Sequence, residues 1–176
     1  MNPIELKKTL KNGGSVYGTM LWGIDSSRMT SFLDDKYLDY AIIEAEHAPR
    51  TMYQIHDMTT ALRNNNITSI VRITSPNPEI AGATIDAGAD GVLVPYCEDI
   101  EELKLSFGRT YFNPLKGEYL KKVLNNGEFP SKKSEEYLRE RNKSRLFILG
   151  IESVPAVENL EKMINSVESI DGIFVG

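Results

Sequence analysis

An α/β fold built on a parallel sheet is what this sequence predicts, and three observations predict it. Short apolar runs alternate with segments of helical period along the chain. Most of those runs are continuously apolar, the mark of strands covered on both faces. One of them, Tyr40-Ala41-Ile42-Ile43-Glu44-Ala45, flows straight into Glu46-His47-Ala48-Pro49. A buried strand therefore ends on a carboxylate and an imidazole, the position where chemistry sits in α/β barrels.

The elements follow in order. Strands are predicted over 15–22, 38–46, 67–73, 91–97, 146–152 and 172–176. Between the second and third, Met52, Ile55, Thr59 and Leu62 make a helical stripe that ends at Arg63-Asn64-Asn65-Asn66. After the fifth, Val154, Val157, Leu160 and Ile164 make another, with Glu158 and Glu161 facing away. Ser153 suits its N-cap, and Pro155 sits in the first turn, where a missing N–H costs little. Right-handed strand–helix–strand crossovers then give a parallel sheet. Ala89-Asp90-Gly91-Val92-Leu93-Val94-Pro95 and Ile170-Asp171-Gly172-Ile173-Phe174-Val175-Gly176 echo one another, as repeated βα units would.

One connection breaks the rhythm. Between Cys97 and Leu146 a regular helix is expected over 99–107, a turn-rich loop over 109–114, and two extra polar helices over 117–124 and 132–141. The chain thus reads as one domain, 1–176, with an inserted segment at 108–144. Such an insertion serves either as a lid or packing element at the site mouth, or as surface decoration.

Composition narrows the function. A net charge of −5 argues against a nucleic-acid partner, because such partners want a basic face. Cys97 is the only cysteine, so no internal disulfide forms, which fits a reducing compartment. The N-terminus has no apolar signal region and no run is long enough to cross a bilayer. A cytoplasmic protein without membrane contact is the expectation.

Parallel strands bring their C-terminal ends to one rim, which collects Trp22, Glu46 with His47, Arg72, Pro95 with Tyr96, Glu152 and Gly176. Glu152 closes a buried run, and a carboxylate there needs a partner or a cation; Mg²⁺ or Mn²⁺ fits an oxygen ligand, and so does a salt bridge. Arg72 interrupts an apolar strand, either to grip a substrate carboxylate with its fork or to form a structural ion pair. His47 suits proton transfer. Glu44 lies three residues before it, on the opposite strand face unless the chain turns at Glu46. His56 falls in a helix and reads as a surface residue, and Cys97 as a small buried one.

These residues, in this order, resemble the metal-dependent class II pyruvate aldolases of the HpcH/HpaI aldolase/citrate lyase family. The match runs through Glu46-His47-Ala48-Pro49, Val71-Arg72, Leu93-Val94-Pro95, Ile151-Glu152, Val157-Glu158-Asn159-Leu160 and Ile170-Asp171-Gly172-Ile173-Phe174-Val175-Gly176. The resemblance implies a (β/α)₈ TIM barrel, present here as about six βα units. It implies metal-dependent aldol cleavage or condensation of a 2-oxo acid through a pyruvate enolate, with an aldehyde as the second small molecule. Glu152 would be a metal ligand, with Mg²⁺ or Mn²⁺ as cofactor. Arg72 would contact pyruvate, His47 would handle the proton, Glu44 would orient His47, and Trp22 and Gly176 would line the substrate pocket. Asp86 would support the site of a neighbouring subunit in a homo-oligomer.

The sequence departs from the family at Glu44, usually aspartate, and at Gly150, where several members carry glutamine. The second metal carboxylate of the family would lie shortly beyond Gly176. The resemblance therefore implies a chain truncated after its sixth strand, with open sheet edges and a need for a partner. A citrate-lyase-like or citrate-synthase-like enzyme, and an inactive barrel fragment serving as an interaction module, are the alternative readings. Aldehyde choice is expected to reside in the insertion and in neighbouring subunits.

Overall fold

The computed structural model describes residues 1–24, 26, 28 and 32–176. Six strands run parallel in one sheet, in chain order: β1 (Gly18–Leu21), β2 (Tyr40–Glu44), β3 (Thr68–Arg72), β4 (Gly91–Val94), β5 (Leu146–Ile151) and β6 (Gly172–Val175). The helices are α1 (Pro3–Lys11), α2 (Met52–Asn64), α3 (Pro78–Asp86), α4 (Ile100–Tyr111), α5 (Gly117–Asn126), α6 (Lys132–Asn142) and α7 (Val154–Asn165). All six strands end on the same rim, as the alternation predicts.

Side-chain parity divides the sheet. Ala41, Ile43, Val71, Val92, Val94, Phe147 and Leu149 belong to the main core, with Ile55, Met58, Leu62, Leu103 and Phe107 from the helices. Ile70, Leu93 and Leu146 pack on the opposite face with Leu6 of α1, beside Tyr40, Ile42, Ile148 and Phe174. That face opens on a cavity of about 260 Å³.

Helix α1 closes the end of the sheet opposite the rim. Asn2 caps it by accepting from the N–H groups of Ile4 and Glu5. Lys7 Nζ meets Asp171 Oδ1 at 2.9 Å and donates to Arg145 O at 2.6 Å. Tyr111 donates to Asp171 Oδ2 at 2.5 Å, and the N–H of Phe147 donates to the same oxygen at 2.9 Å. This network joins α1, α4, β5 and the approach to β6. Burial first, then Asp171, pushes the Tyr111 phenol well above its ordinary range, so it stays a donor.

The structure corrects several sequence expectations. Arg109 does not lie in a loop: α4 continues to Tyr111, and Arg109 is 2% exposed. It fits because position 82 is glycine; a Cβ there would fall 2.3 Å from its Nη2. Its Nη1 donates to Asn113 Oδ1 and Leu115 O. On α7 the buried residues are Ala156 and Met163, with Leu160 partly buried, while Val154, Val157 and Ile164 are exposed. Strand β6 is not covered on both faces, since Val175 is 78% exposed. Helices α1 and α3 were not anticipated.

Helices α5 and α6 pack on the outer helix layer. Leu120 and Leu124 of α5 lie against Gly108 of α4, and Arg141 of α6 donates to Asn113 O. These contacts involve the last turn of α4 and the residues after it, at the end of the sheet away from the rim. Among the described residues, no hydrogen bond or ion pair joins α5 or α6 to the rim side chains.

Candidate active site at the strand ends

The site begins with a register. Glu44, the last residue of β2, stands beside Arg72, the last residue of β3. Both side chains are buried, at 0% and 7% exposure. Arg72 Nε donates to Glu44 Oε2 at 2.5 Å. The other oxygen of Glu44 accepts from the N–H of Glu46 at 2.8 Å and of His47 at 2.9 Å. One carboxylate thus neutralises the guanidinium and bends the chain that carries His47. Glu44 meets His47 through the backbone, and no bond to the imidazole is seen.

Glu46 follows two residues after Glu44, and its Oε2 approaches Arg72 Nε at 3.2 Å and His47 Nε2 at 3.6 Å. The His47 ring stacks on Trp22, with centroids 5.8 Å apart and planes inclined by 29°. Arg72 also lies over the ring of Phe174, 5.8 Å from its centroid. Among the described residues, no hydrogen bond engages Nη1 or Nη2 of Arg72. Its fork is therefore available to a ligand.

Glu152 completes the rim from β5. A Cβ at Gly150 would fall 3.0 Å from Glu152 Oε1 and 2.8 Å from Val94 O, and a Cβ at Gly176 would fall 3.0 Å from Glu152 Cγ. Two glycines therefore make room for this acid. Glu152 Oε1 and Glu46 Oε2 are both buried without a hydrogen bond. Burial raises the Glu46 pKa, Arg72 and His47 oppose the rise, and the charges of Glu152 and Glu44 add to it. The unpaired Oε1 of Glu152 and the Glu46 carboxylate, which already faces Arg72 and His47, make a donor set suited to a hard cation that retains water ligands. Among the described residues no group of three or more His, Cys, Asp or Glu gathers into a metal site; Glu46 and Glu152 are the rim acids that could ligate one.

The structure thus brings together Trp22, Glu44, His47, Arg72, Glu152 and Gly176. It does not bring Asp86 to them. Asp86 ends α3, at the opposite end of the sheet, and its Oδ1 accepts from Asn113 Nδ2 at 2.6 Å. His56 is exposed, with Nδ1 3.1 Å from Ala87 O. Cys97 is buried, which pushes its thiol up to about 12. Sequence reasoning left Glu46 without a role and passed over Phe174 and Arg50. The signal for Glu46 was its parity: residues two apart on an extended chain share a face.

Fold and rim together define an α/β protein of the barrel type that gathers acids and a guanidinium at its strand ends. The chain belongs to the HpcH/HpaI aldolase/citrate lyase family, whose profile matches residues 19–176. It is 25% identical over 174 residues to the 2-keto-3-deoxy-L-rhamnonate aldolase of Salmonella gallinarum, covering 97% of this chain and 62% of that protein. The crystal structure of an HpcH/HpaI aldolase from Desulfitobacterium hafniense DCB-2 superposes with a TM-score of 0.77 at 26% identity, covering 97% of this chain and 65% of that one. Citrate synthase SbnG shares the fold, with a TM-score of 0.77 at 24% identity over 97% of this chain and 64% of its own. The chain spans less than two thirds of these relatives, and beside them its six-stranded sheet is an incomplete barrel.

Proposed function

We propose that this rim serves a carbon–carbon lyase that cleaves or forms an aldol bond in a 2-oxo acid by way of a pyruvate enolate. The observation that carries this reading is the Arg72 fork: Nε is tied to Glu44 and faces Glu46, while no hydrogen bond among the described residues engages Nη1 or Nη2. A 2-oxo acid offers adjacent keto and carboxylate oxygens that suit such a fork. In cleavage, the hydroxyl at C4 loses its proton, the C3–C4 bond breaks, and its electron pair passes to C3 and the keto oxygen. Arg72 holds that developing charge without a Schiff base. His47, whose Nε2 lies 3.6 Å from Glu46 Oε2, would move that proton. Trp22 walls the pocket beside it, and Gly176 leaves room beside Glu152.

Glu46 and Glu152 would hold Mg²⁺ or Mn²⁺, which supplies Lewis-acid polarisation of the keto group when bound. Asp86 lies at the far end of the sheet from its own rim; the resemblance to the family would give it a role at the site of a neighbouring subunit in a homo-oligomer. No helix among the described residues is long and apolar enough to cross a membrane. The unpaired, buried Cys97 suits a cytoplasmic setting.

The test is deuterium exchange at the methyl group of pyruvate, followed by NMR with Mg²⁺ or Mn²⁺ and again with EDTA. Exchange that requires the metal and is lost in Arg72→Met supports the reading. Absence of exchange at saturating metal refutes it. Aldehydes set against acyl-CoA donors then separate an aldolase from a citrate-synthase-like enzyme, the alternative that Gly150 and the insertion leave open.

A further inference from the structure

The β1–β2 ladder ends at Leu21 and Ile43. Beyond it, among the described residues, no sheet hydrogen bond holds the backbone that carries Trp22. There the guanidinium of Arg50 takes over. Arg50, three residues past His47 and half-buried, donates from Nε to Glu44 O at 2.6 Å and from Nη2 to Leu21 O at 3.1 Å. Its Nη1 donates to Ile24 O at 2.8 Å and rests 3.5 Å from Met58 Sδ. Three carbonyls from two segments converge on it: two of them flank Trp22, and the third belongs to the acid that anchors Arg72.

We propose that Arg50 is a positioning residue, which fixes where Trp22 stands over His47 and so shapes the mouth of the site. The proposal rests on the rim being the reaction site. A planar fork with fixed donor directions is what three spread carbonyls require, and a lysine ammonium reproduces the charge without that geometry. Arg50 itself is placed outside the reacting atoms, and it acts through Trp22 and the β2 turn.

Trp22 is the only tryptophan in the chain, so its emission reports this loop alone. The experiment compares the full chain with Arg50→Met and Arg50→Lys by circular dichroism, tryptophan emission and acrylamide quenching, beside the pyruvate exchange rate. In Arg50→Met, emission shifts to longer wavelength and quenching increases while the circular dichroism stays native; Arg50→Lys shifts less. The exchange rate falls by about 10- to 100-fold, the cost of misplacing a positioned group. The loss sits mainly in kcat, because the Arg72 fork that binds pyruvate is untouched. A natively folded Arg50→Met with unchanged emission and quenching overturns the proposal. If that variant does not fold, an unchanged Arg50→Lys spectrum overturns it. Wild-type protein that fails to exchange deuterium sinks the proposed function, while the fluorescence still decides the role of Arg50.

Discussion

Replacing Glu44 by glutamine tests the centre of the site, because the side chain keeps its shape and loses one acceptor. In the native protein both oxygens are used: Oε1 takes two backbone N–H groups, and Oε2 takes Arg72 Nε. The glutamine oxygen retains the backbone pair, and its amide NH₂ then faces a guanidinium N–H, donor against donor. Removing one partner of a buried ion pair costs about 3–5 kcal/mol. Arg72 keeps Glu46 at 3.2 Å, so the lower end, about 3 kcal/mol, is expected. For a chain of this size that lowers the melting temperature by about 6–12 °C. Arg72→Met should cost a similar amount by stranding Oε2 of Glu44. The double variant joins an apolar side chain to a glutamine that still caps the turn, so it should lose less than the sum. A coupling of at least about 1.5 kcal/mol is expected from urea unfolding of all four proteins. Single costs that add to within about 0.5 kcal/mol would refute the reasoning.

Three further outcomes are expected. Asp171→Asn keeps one oxygen for Tyr111 and Phe147 but removes the charge that holds Lys7 and turns an amide NH₂ toward its ammonium; it should cost about 3 kcal/mol in denaturant unfolding and expose α1 to limited proteolysis. Gly150→Ala drives a Cβ to 2.8 Å from Val94 O and 3.0 Å from Glu152 Oε1; it should destabilise by about 1–3 kcal/mol and weaken Mn²⁺ binding measured by electron paramagnetic resonance. Burial holds the Cys97 thiol near 12, so the folded state keeps a proton that the unfolded chain releases from about pH 8.5. Its contribution to stability is complete below that pH and is lost as pH rises toward 12. Melting curves across this window should show a decline that Cys97→Ala flattens, and thiol labelling of the native protein should be slow.

Much of the site was readable along the chain because strand order and side-chain parity are local properties. A continuous apolar run such as Phe147-Ile148-Leu149 states that it is buried, and the residue that ends it, Glu152, lands on the common rim once the strands are parallel. The alternation of elements, the placing of Trp22, His47, Arg72 and Glu152 at strand ends, and the two polar helices α5 and α6 all follow from such patterns.

Other features depend on which surfaces meet. Sequence spacing set Glu44 against His47, whereas the β2–β3 register gave Glu44 to Arg72 and left its second oxygen to the turn. Arg109 looked like a loop residue until Gly82 of a neighbouring helix supplied the space for it. The α7 stripe was periodic, yet the helix lies on the sheet through Ala156 and Met163, so periodicity found the helix but not its buried side. Asp86 went to the far end because α3 runs back against its strands. Periodicity, capping and strand parity act over a few residues and are written in the chain, whereas register, close approach and the pairing of buried charges join residues tens of positions apart and exist only once the sheet has formed.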